Sequence, residues 1–500
     1  ACKIGKNKEK NSSMKKRYLI PATILGAGLI YAVWMKIPKN DVPTEMGDAI
    51  AARPLLPTDT PLHPLLTEPQ RSGMHSGSYN TDVSDYGGPL GNNTVSKHRS
   101  FGKIIGVAPN ISFDDKGRLI TVALNLNKVT LHLLDPETLE TLAKYEMPKK
   151  DNQDNSGGAY FHLDNQNRAI LAPNDNSIKI IEILEKGKTL TWEVVENYPL
   201  GDLLPEGANI HDVMPDWNGN LWFVTTGGVI GYRDKTDGKF HTFNLPEFGE
   251  VVQNSFAVDM NGVYMVSTHA LYMFGINEQT RKPEPVWRET YERGSEQKIG
   301  TLSHGSGTSP TLIGDDLVSI ADDGSPSTNI MVYKRKADIK GSRVVCKEPV
   351  FKPGASATEN SLVSYKNALI VQNDFGHDYM GNALETAPGV TRVDINEDRS
   401  GCKTVWASQM QSHSLPRLST ATGLIYIYTF KLPFQGAKTG GWYLTAMDYE
   451  TGDILWDRLI GKGAGGFWDK YSSVTAPVVL GPNEAAYVGI RTGIIMAKDQ

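Results

Sequence analysis

The sequence predicts an all-β fold, an eight-bladed β-propeller, on three observations. A unit of short strands and turns recurs about every 45 to 59 residues after Phe101, the period of a repeat array rather than of separate domains. The chain of 500 residues combines 39% apolar residues with 49 Gly and 28 Pro, enough for a large core but rich in turn formers. The last unit runs out at Gln500 one strand short, whereas an orphan segment, residues 95–103, precedes the first. A ring closed by that segment leaves no bare sheet edge.

The eight units begin near Val107, Gly158, Asn209, Asn254, Thr308, Glu359, Ser414 and Thr475. Each continues into an alternating run such as LWFVTT from Leu221 or LIYIYT from Leu424, which has the period of a strand. Seven blades is the alternative count. Aromatic residues recur near the end of the units, at Trp192, Phe243, Trp287, Phe351, Trp406 and Trp456. Such side chains fill the space between neighbouring wedge-shaped sheets.

Ahead of the repeats the chain divides into a basic tail (1–17), an apolar run (18–35), a Pro/Gly-rich linker and loop (36–94) and the propeller (95–500). The run YLIPATILGAGLIYAVW from Tyr18 is nearly free of charge and follows Lys15, Lys16 and Arg17. It is short for a spanning helix but within range, and the basic flank places the N-terminus in the cytoplasm. The expectation is a single-pass signal anchor in the cytoplasmic membrane with the propeller periplasmic or extracellular; a cleaved signal peptide is the competing reading. Seven prolines between Pro38 and Pro69 predict an extended spacer, and residues 72–93 read as a loop draped over the domain.

Three cysteines exclude a disulfide scaffold, and none lies in a Cys-x-x-Cys spacing. Cys346 and Cys402 precede the outer strands of neighbouring blades. In an oxidising compartment they are candidates for one disulfide, against which stands the splaying of outer strands. A net charge of −5 with mixed signs gives no basic stripe, so nucleic acid is not an expected partner.

Residues 443–456 (YLTAMDYETGDILW) resemble the repeat of the pyrroloquinoline-quinone (PQQ) dehydrogenase-like, or quinoprotein-like, propellers: a short strand, an Asp, a Thr-Gly turn and a Trp. Weaker echoes start at Leu133, Tyr232 and Val393. The resemblance implies the fold over the repeat region and carries no function, because such scaffolds serve unrelated activities. The vicinal cysteines that accompany the quinone in those dehydrogenases are absent, so PQQ is not an expected cofactor; a divalent metal stays open.

No hydrolase elbow, zincin or Walker pattern occurs. The pairs Asp315-Asp316 and Asp322-Asp323 read as solvated turn residues. The starts of the innermost strands approach a propeller's axis and carry the candidate ligand-binding residues His211, Asp212, Asn254, His304, Ser309, Glu359, Asn360, His413 and Arg417. In the functional reading Arg417 engages an anionic group and the histidines serve as acid or base; in the plain reading these groups satisfy backbone and water. His162, His211, His304 and His413 lie on four blades and form a candidate metal set. The glycine-rich stretches 304–310 and 373–389 are candidate functional loops. Two functions follow: a membrane-anchored propeller binding a small molecule or a periplasmic protein, or an extracytoplasmic oxidoreductase or lactonase-like hydrolase with a metal or quinone in the central funnel.

Overall fold

In a computed structural model of the protein the described residues are 42–148, 157–378, 383–466, 468–473 and 476–500. The basic tail and the apolar run at 18–35 lie outside them, and among the described residues no helix is long and apolar enough to cross a membrane.

Eight antiparallel sheets, each with a core of four strands, follow one another along the chain. We number them blades 1 to 8 by their innermost strands: Ile111–Phe113, Phe161–Leu163, Ile210–Pro215, Ala257–Val258, Thr311–Ile313, Val363–Tyr365, Arg417–Ser419 and Val478–Leu480. Blade 8 closes as the sequence predicts. Its outer strand is Val95–Ser100, which pairs antiparallel with Gly493–Lys498 in the register Val95 to Lys498, and the Phe101 amide donates to the Thr492 carbonyl at 2.8 Å.

The repeat motif has a local physical cause. In blade 7 the Asp448 carboxylate accepts the amides of Glu450 and Thr451 at 2.8 and 3.0 Å, capping the turn into the outer strand. The same capping holds at Asp135, whose carboxylate accepts the amides of Glu137 and Thr138. Gly452 follows with φ +76°, and a Cβ there would stand 2.6 Å from the ring of Trp406. Trp406 belongs to the preceding blade, and its indole N–H reaches the Tyr449 carbonyl of this turn at 3.1 Å. The Asp thus makes the turn, the Gly makes room, and the aromatic of one blade locks onto the next. Trp287 repeats the contact, donating to the Arg335 carbonyl at 3.1 Å.

Cys346 and Cys402 are joined by a disulfide with a Cα separation of 5.7 Å. The outer strands of blades 5 and 6 approach closely instead of splaying, because the Glu348 carboxylate accepts both the amide and the hydroxyl of Thr404, at 3.0 and 2.8 Å. The covalent loop spans 56 residues.

The stretch expected as a spacer and loop is part of the ring. Glu45–Met46 pairs with the outer strand of blade 7, and Val83–Ser84 pairs parallel with its inner strand. Between them residues 72–84 are buried throughout. We call residues 63–90 the strap.

The disulfide gives the fold's first test. Reduction, or Cys346→Ser with Cys402→Ser, is expected to cost up to about 4 kcal/mol by the loop-entropy relation, read from urea unfolding midpoints. A midpoint unchanged by reductant contradicts the bond.

Candidate functional site

The innermost strands present one backbone edge to the axis, and the strap bonds that edge by backbone on blades 2 and 4 to 7, with side-chain contacts at blades 1 and 3 and at the end of blade 8. The carbonyls of Ser78, Tyr79 and Thr81 accept the amides of Val258, Leu312 and Ser364 at 2.8 to 2.9 Å, on blades 4, 5 and 6. Asp82 and Ser84 do the same for Leu418 and Thr420 of blade 7 at 3.4 and 2.9 Å. The Thr67 amide donates to the Leu163 carbonyl of blade 2 at 2.9 Å, and the Gly73 amide to the Ser112 hydroxyl of blade 1 at 3.2 Å. His63 reaches the Pro215 carbonyl of blade 3 at 3.0 Å, and Leu90 the Asp499 carboxylate beyond blade 8 at 2.7 Å. The axis leaves little room: a Cβ on Gly73 would stand 1.5 Å from the Ile111 carbonyl oxygen. To turn within it, His75, Ser76, Asn80 and Asp82 all take left-handed backbone conformations, with φ of 53 to 56°.

These contacts run from the middle of the inner strands to their C-terminal ends, so the strap fills that part of the channel. The other end, where inner strands start, is the funnel.

Arg417 belongs to the plug. It is 1% exposed and donates to the carbonyls of Val478 at 3.0 Å and Gly73 at 2.7 Å and to the Ser76 hydroxyl, with the Asp82 carboxylate at 3.5 Å. The sequence expectation that it engages an anionic ligand is corrected: its fork is taken up by the strap and by the Val478 carbonyl of blade 8. Ser309 is likewise taken up, its hydroxyl 3.4 Å from His75 Nε2. Asp82 and His75 continue this network, the Ser361 hydroxyl donating to Asp82 at 2.6 Å and lying 2.7 Å from His75 Nδ1.

A second network spans blades 2 to 4. Asp212 is fully buried, with His162 Nε2 at 3.0 Å and the Ser255 hydroxyl at 2.5 Å on its two oxygens. Burial raises its carboxyl, but the neighbouring His162 and His211 and the hydrogen bonds from His162 and Ser255 outweigh this and hold it below its usual value. The order hydroxyl, carboxylate, imidazole puts the acid between the other two, so the serine has no base beside it and the group is not a nucleophilic triad.

The four histidines expected as a metal set are not brought together. Besides the carboxylate at His162, His304 Nε2 lies 2.7 Å from the Gly294 carbonyl within its own loop. His413 is buried beside Trp442, ring centroids 5.5 Å apart, and its Nδ1 accepts the Phe430 amide at 3.3 Å. Among the described residues the group whose ligand atoms all lie within 4.8 Å is Asp234, Asp237 and His241 on blade 3, where Arg281 already pairs with Asp234.

The two glycine-rich loops meet at the funnel. The Gly376 amide donates to the Ile299 carbonyl at 2.9 Å. Asp374, 1% exposed, accepts the Glu359 amide at 2.8 Å and Asn360 Nδ2 at 3.2 Å. Burial pushes its carboxyl up to about 6 against these hydrogen bonds. Asp322 and Asp323 are each 3% exposed, correcting their reading as solvated turn residues. Asp322 accepts the Gly324 and Asn329 amides, and burial also raises it to about 6. Asn254 is buried and donates to the Ser306 carbonyl at 3.3 Å.

Of the residues near the strand starts, Tyr160, His211, His304 and Glu359 are half-buried. The Tyr160 and His211 rings are 4.6 Å apart. Tyr160 went unmarked in the sequence, where it sits one residue before its strand.

The Asp374 carboxyl carries a pH signature. Its folded value near 6 exceeds the ordinary carboxylate value of about 3.9, so the folded state holds the proton more tightly and loses stability as pH rises from 4 to 6. Asp374→Asn removes this loss. Between pH 4.5 and 7.5 the variant is expected to gain on the native chain by up to about 3 kcal/mol in urea unfolding; parallel curves contradict the assignment.

No known family matches the chain. An uncharacterized protein of Archaeoglobus fulgidus is 26% identical over 371 residues, covering 67% of this chain and 69% of that one. Among solved structures, a europium-containing methanol dehydrogenase aligns with a TM-score of 0.51 and 11% identity, covering 85% of this chain and 90% of that one. Sqt1 from Chaetomium thermophilum aligns with a TM-score of 0.50 and 10% identity, covering 81% and 98%. At these identities the likeness is one of fold: the chain is an eight-bladed β-propeller.

Proposed function

We propose that the chain is a membrane-tethered, extracytoplasmic binding propeller that docks a protein partner on its funnel-side face. The distribution of exposed apolar side chains carries this reading. Leu203, Phe248, Ile299, Leu302, Phe434 and Trp468 all lie on connections at the funnel end, with Trp468 77% exposed. On the plug side the exposed large apolar residues among those described are Met260 of the blade turns and Leu56 and Leu62 of the segment before the strap. Apolar loops gathered on one face of a rigid scaffold mark an interaction surface, and aromatic anchors dominate such interfaces.

The tether and the compartment are supported by the apolar run at 18–35 with its basic flank and by the Cys346–Cys402 bond, which belongs to an oxidising environment. Site-specific photo-crosslinking tests the docking face. A benzophenone side chain in place of Trp468 or Phe248 of the full chain, expressed in its own cell, is expected to trap one discrete protein, and the same probe at Met260 none. Crosslinks at Met260 alone, or at neither face, overturn the reading.

A further inference from the structure

We infer that the funnel floor is a binding site for an alkylammonium group, held by the Glu359 carboxylate and the faces of Tyr160 and His211. This goes beyond protein docking and stands on different residues.

Charge decides the sign of the ligand. The guanidinium of Arg417 is taken up by the strap and by the Val478 carbonyl, so an anion entering along the axis meets no free cation from that strand. It meets carboxyl groups instead. Glu359 Oε1 is buried with no hydrogen-bond partner, and a Cβ on Gly307 would stand 2.6 Å from it, so the carboxyl is pressed against the backbone of the 304–310 loop. A backbone N–H at Leu302 steadies the group, while burial and the nearby Asp374 and Asp323 disfavour its charge. A carboxyl oxygen left unsatisfied at depth costs free energy that a donor arriving with a ligand removes.

Tyr160 places the aromatic half of the site. Its ring centroid lies 6.2 Å from that of His75 in the strap, and His75 Nδ1 lies 2.7 Å from the hydroxyl of Ser361, two residues after Glu359. The His211 ring packs against it at 4.6 Å. An aromatic pair with a carboxyl oxygen that lacks a donor suits an ammonium: the ring faces attract the cation, its N–H groups supply the missing donor, and its charge offsets what disfavours ionisation of Glu359. All three residues keep part of their surface exposed.

Saturation-transfer NMR on the full chain tests this with n-pentylammonium, Nα-acetyl-lysine amide and the uncharged n-pentanol. Both amines, or the one whose source is the natural ligand, are expected to bind the native chain and pentanol not to. A preference for pentylammonium identifies a free amine, and a preference for the lysine amide a side chain of a polypeptide. Glu359→Gln is expected to weaken amine binding at least about tenfold, consistent with loss of a charge-assisted contact. Tyr160→Leu weakens it several-fold and serves as the second variant if the first fails to fold. Equal binding of pentanol, no binding of either amine, or native affinity in a folded variant overturns the site, and none of these outcomes touches the docking face.

Discussion

A ring of eight sheets has an unavoidable weakness at its centre, where eight inner strands turn an unpaired backbone edge toward the axis. Buried amides and carbonyls left there would each cost free energy. The strap meets that constraint. Its carbonyls pair with amides of blades 4 to 7, and its other contacts reach blades 1, 2 and 3 and the end of blade 8. Rim and axis are therefore both closed by chain that precedes the first repeat, one by strand pairing at Val95–Ser100 and the other by the strap.

This closure divides the channel into two chemical halves. At the plug, Arg417, Asp82, His75, Ser361 and Ser309 form one network with almost no solvent contact, in which Arg417 stands 3.5 Å from Asp82 Oδ1. At the funnel, the 304–310 and 373–389 loops converge around Asp374 and Glu359, and the carboxyl groups there titrate high because burial is not matched by cations. The apolar loop residues stand outside this acidic floor, so the same face offers an apolar rim and a polar depression.

The fold was legible in the sequence because propeller blades are local: an Asp that caps a turn, the Gly of that turn and the Trp of the following strand stand within a few residues of one another, as at Asp448, Gly452 and Trp456, while the ring that Gly452 clears is the equivalent Trp406 one repeat earlier. Closure was legible from the missing strand and the orphan Phe101. The strap was not. Gly, Ser, Asn and Asp in GMHSGSYNTD are what a loop contains, and they are also what fits a narrow axis needing left-handed turns; composition does not separate the two. Arg417 was found as a position, but its partners lie more than 300 residues away in that strap, so its role was assigned the wrong way round. The histidines fell on the expected blades without converging, since strand-start offsets of one or two residues turn a side chain from the axis to its own sheet.

Native-state hydrogen exchange addresses the central claim most directly. If the strap is a structural part of the ring, the amides of Asn80, Asp82, Leu312 and Ser364 exchange only through global unfolding, with the same free energy as amides inside the blades such as Val371. Rapid exchange at Asn80, Asp82, Leu312 and Ser364 while Val371 stays protected would show a strap that lifts away from an otherwise intact ring, contradicting the account.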